Sequence, residues 1–97
     1  MPGSPALFFE TFPYGSVAAE SFNDLFGAAS QAMNAAGLTD IVKQQSDVAG
    51  RTPNSHAAII FVGGTPHNTT AVIMVAGDDA FPVLGKPATA LRNIKFL

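Results

Sequence analysis

The chain has 97 residues, enough for one hydrophobic core but near the size at which a domain struggles to bury its apolar surface alone. Apolar residues make up 47% of it, whereas charged residues make up only 12%, about half the usual ~25%. A net charge of −2 without any run of Lys or Arg argues against nucleic acid as a partner, and the lack of cysteine excludes disulfides, thiolate metal sites and cysteine nucleophiles.

So few charges cannot solvate a surface this large, which leads to the expectation of a homo-oligomer, a dimer or larger, with part of that surface buried between copies. The charges are also polarised. No basic residue precedes Lys43, while Glu10, Glu20, Asp24 and Asp40 are acidic; after Asp79 come Lys86, Arg92 and Lys95 and no acid. Such polarity can guide assembly between copies. The N-terminal stretch has no basic n-region, its apolar run is broken by Glu10, and no stretch is long enough to span a membrane. A soluble, cytoplasmic protein with no membrane partner is expected.

In chain order, "PALFFETFP" reads as a strand with Phe8, Glu10 and Phe12 on one side and Leu7, Phe9 and Thr11 on the other. From Ser16 to Ala36, apolar residues at Ala18, Phe22, Leu25, Phe26, Ala29, Met33 and Ala36 draw one stripe down a long amphipathic helix. Ser16 suits its N-cap, and Gly37 with Leu38 suits a Schellman-type end. "TDIVKQQSDVAGRTPNS" opens with a short element around Ile41 and Val42 that reads slightly better as an edge strand than as a helix. Its remainder to Ser55 reads as an exposed loop.

"HAAIIFV" and "TAVIMVAG" are β-branched, apolar at successive positions, and read as strands covered on both faces. The "GGTPHNTT" between them is followed by a strand and lacks the Lys of a phosphate loop, so it reads as a hairpin reversal over residues 63–69. That hairpin sets His56 opposite residues 76–78 and His67 at the tip. At ~3.3 Å per residue the two histidines are on the order of 20 Å apart, so they cannot share a metal within one chain. "DDAFPVLGKP" reads as a turn and connector, with Pro87 opening a short C-terminal helix that turns Ala88, Leu91 and Ile94 inward.

These elements make a single α+β domain over residues 1–97: a small, mostly antiparallel sheet of three or four strands, with the long helix on one face and the short helix after it. A ferredoxin-like two-layer sandwich is one arrangement of this kind. The other sheet face needs a second layer or a second subunit, and Phe8, Phe9, Phe12, Phe22, Phe26 and Phe61 are expected in the core.

The polar cluster best placed for chemistry is His56 with Asp78 and Asp79, near Asp47 or Arg51. A carboxylate beside a histidine orients the ring and raises its pKa, as acid–base work requires. Tyr14, before the helix, can offer its hydroxyl to a ligand, so Tyr14, His56 and Asp79 form a candidate small-molecule site. No cofactor and no metal site are expected.

Removal of Met1 would expose Pro2, and the strand and long helix that follow resemble the small tautomerases. That resemblance implies an N-terminal proline amine acting as base in an oligomer, although Gly3, Ser4 and Pro5 separate Pro2 from the strand. The expected function is a non-catalytic assembly or small-ligand-binding module. The alternative is a tautomerase- or isomerase-like enzyme using Pro2, or His56 with Asp78.

Overall fold

In the computed structural model, which describes residues 6–14, 21–45, 47–65, 67–78 and 80–94, the strands form one antiparallel sheet. They are β1 (Ala6–Tyr14), β2 (Thr39–Lys43), β3 (Asp47–Arg51), β4 (Ser55–Thr65) and β5 (Asn68–Gly77), in the spatial order β1-β5-β4-β3-β2. Two helices, α1 (Phe22–Ala35) and α2 (Ala80–Asn93), lie on the same face: α1 packs on β2, β3 and β4, α2 on β1, β5 and β4, and the helices pack on each other.

This corrects the expected sheet of three or four strands beneath one long helix. Five strands are present, and both helices have 14 residues. The order β-α-β-β-β-β-α, with β1 at one edge and β2 at the other, is also not the βαββαβ order of a ferredoxin-like sandwich.

The extra strand is β3, in a segment expected to be loop. Val48 and Gly50 turn to the helices while Asp47, Ala49 and Arg51 turn away. Gly50 hides this alternation because its missing side chain leaves room for Met33 and Leu38. A Cβ there would meet the Leu38 Cβ at 3.3 Å and the Met33 sulfur at 3.4 Å. The element over residues 39–43 is the edge strand expected. It joins β3 through a β-bulge at Asp40, whose φ of 52° turns Ile41 towards the helices and Val42 to the far face.

Helix α1 begins later than its apolar stripe suggests. Ser21 is the N-cap, and its backbone N–H donates to the Asp24 carboxylate at 3.3 Å; Ser16 lies outside the described residues. The far end follows expectation. Gly37, at φ 83°, donates to the Asn34 carbonyl and Leu38 to the Met33 carbonyl, the two bonds of a Schellman close. Leu25, Ala29 and Met33 are fully buried.

Helix α2 spans most of the expected connector, and Pro87 sits inside it rather than at its start. Val83, Pro87, Ala88 and Leu91 make a buried stripe against the sheet. The apolar layer thus gained outweighs the hydrogen bond that a mid-helix proline forgoes.

Arg92 of α2 pairs with the half-buried Glu10 of β1 and lies over the Phe12 ring, 4.3 Å from its centroid. One pair of the chain's charge polarity is therefore consumed within the protomer.

The hairpin runs as expected, with His56 opposite Ala76. Its register shifts between Val62 and Thr65, where Gly63 lets the strands approach: a Cβ there would lie 2.6 Å from the Asn68 carbonyl oxygen.

Candidate functional site: the uncovered face of the sheet

Because directly paired residues share a face, the register assigns every strand residue a side. One row, Glu10–Ile73–Ile59–Val48–Lys43, runs beneath the helices, and its three central side chains are fully buried. The next row, Phe9–Met74–Ala58–Ala49–Val42, crosses all five strands on the other side, where no helix lies among the described residues. Thr11–Val72–Ile60–Asp47 flanks it on one side and Leu7–Ala76–His56–Arg51 on the other.

This face is apolar and open. Leu7, Phe9, Val42 and Val62 are 64, 67, 52 and 59% exposed, values typical of charged surface residues rather than of large hydrophobics. Phe9, expected in the core, lies on this open side. The reason is the placement of α2. It returns to the same face as α1, so the second layer inferred from the two-sided strands is not supplied within the described residues.

Both edges of the sheet are blunted against strand addition. On β1, Pro13 lacks a backbone donor, and on β2 the bulge at Asp40 and the charged Lys43 interrupt a regular edge. Asp40 is tied down by Arg51, whose Nε lies 2.6 Å from the carboxylate. Lys43 folds over the Phe26 ring at 4.8 Å.

The residues singled out for chemistry are dispersed. His56 is exposed on the open face, directly opposite Arg51 and Ala76. Asp78 is exposed beyond the end of β5, where its backbone N–H donates to the Asn54 carbonyl. No hydrogen bond or ion pair joins His56 to Asp78 among the described residues. Asp79 and Pro2 lie outside those residues. Ser55 is buried on the helix side and so points away from its neighbour His56. Asp47 stands at the other end of β3, paired with Ile60. No three His, Asp or Glu side chains converge on a common point among the described residues.

Tyr14 belongs to the helix side. Its ring packs on Phe61 and edge-on to Phe12, and its hydroxyl donates to the Ile94 carbonyl at 3.0 Å. Burial pushes its pKa above 10.0, because the charged phenolate would lose its hydration. The Thr69 hydroxyl donates to the Tyr14 carbonyl from the facing strand.

An open groove of about 450 Å³ lies between the helices, lined by Ala35, Ala36, Gly85, Lys86, Thr89 and Ala90. None of the residues singled out for chemistry lines it. No helix is long and apolar enough to cross a membrane among the described residues.

Asp47 and Arg51, read from the sequence as parts of an exposed loop, are open-face residues of a strand, β3. The alternation Asp47–Val48–Ala49–Gly50–Arg51 was the available signal. In comparison with known proteins, no family model, curated protein or solved structure matches the chain.

Proposed function

We propose that this protein is a non-catalytic, self-associating module whose working surface is the open face of the sheet. The observation that carries the reading is the row Phe9–Met74–Ala58–Ala49–Val42, which is apolar throughout and spans all five strands. A monomer leaving that surface in water would forgo roughly 25 cal/mol for each Å² of apolar area that a partner could cover. Strand addition is disfavoured at both edges, so association through the face is the favoured route. The low charge content supports the same reading, since among the described ladder residues this face carries only Asp47 and Arg51 as charged groups.

The test is Phe9→Asp, a substitution at an exposed position that places a charge on the central row of the surface. Light scattering after size exclusion is expected to give an assembly for the unaltered chain and a monomer for the variant, with the same circular dichroism spectrum. A variant that assembles as before would overturn the reading.

A further inference from the structure

We propose that the covering partner is a second copy related by a two-fold axis along the Phe9–Met74–Ala58–Ala49–Val42 row, so that Arg51 of each chain meets the partner's Asp47. This inference rests on the self-association reading above and adds a symmetry and a contact to it.

The open-face ladder residues carry two formal charges, Asp47 and Arg51, of opposite sign. They lie on the same strand, two residues either side of Ala49, and Ala49 is on the central row. Rotation by 180° about that row exchanges the flanking rows. Arg51 then falls opposite the partner's Asp47, and Asp47 opposite the partner's Arg51, so the surface complements itself in charge as an isologous contact must. The strands of the two sheets stay nearly aligned, the usual packing of faces ~10 Å apart. A two-fold axis along the central strand β4 would instead lay Asp47 on Val72 and Arg51 on Ala76 of the partner's β5, desolvating each without a counter-charge.

Both groups have capacity to spare. Arg51 holds Asp40 through Nε, which leaves the terminal nitrogens of its fork for a second carboxylate. The neutral side-chain amide of Gln44 lies beside the Asp47 carboxylate, 2.9 Å away when its nitrogen is turned to donate, and no cation does so among the described residues. Five strands ~4.8 Å apart and seven residues at ~3.3 Å give a projected area on the order of 500 Å². Its corrugated accessible surface approaches the roughly 800 Å² per partner of a stable interface.

Charge reversal tests this directly. Asp47→Arg alone and Arg51→Asp alone each set like charges against one another twice per dimer, so each is expected to weaken self-association at least about tenfold. Mixed in equal amounts, they are expected to form a one-to-one heterodimer, because every Arg then meets an Asp. Loss of the intramolecular Arg51–Asp40 pair could weaken one variant but could not produce that rescue. Circular dichroism confirms that each variant is folded before mixing.

A mixture that stays monomeric, or single variants that dimerise as tightly as the unaltered chain, would overturn the register. If the unaltered chain dimerises and Phe9→Asp breaks it while Asp47→Arg does not, the register fails and the self-association reading stands. A monomeric unaltered chain overturns both.

Discussion

The hydroxyl of Tyr14, at the end of β1, donates to the carbonyl of Ile94, just beyond α2, across 80 residues of sequence. That bond fixes the end of the last helix to the edge strand on the covered side. Tyr14→Phe keeps the ring packing on Phe61 and removes the donor, leaving the Ile94 carbonyl to water. A loss of about 1 kcal/mol is expected in denaturant unfolding. Burial raises the Tyr14 pKa in the fold above 10.0, so its contribution is fully present below pH 10 and is lost as pH rises through the higher folded value. Tyr14 is the only tyrosine in a chain without tryptophan, so tyrosinate absorbance reads it alone. The midpoint should lie above 10 in the folded protein and fall to the ordinary value in denaturant.

Arg92 performs two tasks at the same junction, pairing with Glu10 and covering the Phe12 ring. Arg92→Met keeps much of the stacking area and leaves the half-buried carboxylate unpaired. A loss of about 1–3 kcal/mol is expected from thermal unfolding. Glu10→Gln introduced into that variant should recover part of it, because the uncompensated charge is then removed.

Two glycines separate backbone strain from steric contact. At Gly37 the backbone is left-handed but the space around a Cβ is open, so Gly37→Ala should cost roughly 1–2 kcal/mol, from the conformation alone. At Gly63 a Cβ would strike the Asn68 carbonyl oxygen and crowd Thr69 across the hairpin. Gly63→Ala should cost more than about 2 kcal/mol or shift the register, seen as altered cross-strand contacts by nuclear magnetic resonance.

Much of the covered side was legible in the sequence, because its signals are local. The 3.6-residue stripe of Leu25, Ala29 and Met33, the glycine stop after Ala36, and the hairpin that pairs His56 with Ala76 each follow from residues close in the chain. Strand β3 was not legible, because Gly50 reads as a loop residue until Met33 and Leu38 are seen packed over it. Helix α2 was legible only in its second half. Pro82, Gly85 and Pro87 argue against a helix locally, and the tertiary burial of Val83, Ala88 and Leu91 decides otherwise.

The candidate surface was half legible. The two-sided strands imply a second cover, but whether α2 supplies it depends on which face that helix chooses. No local pattern in "DDAFPVLGKP" states that choice. The polar residues singled out in sequence, His56 and Asp78, stood out by type. The open-face pair Asp47 and Arg51 becomes meaningful only once β3 is a strand and its register is known.

The most direct measurement is the mass of the unaltered chain in solution, by light scattering after size exclusion over a wide concentration range. A self-associating sheet face predicts twice the 10.0 kDa chain mass, held down to low concentration. A mass of 10.0 kDa at every concentration would contradict it, leaving Phe9, Met74 and Val42 on a surface that no second copy covers.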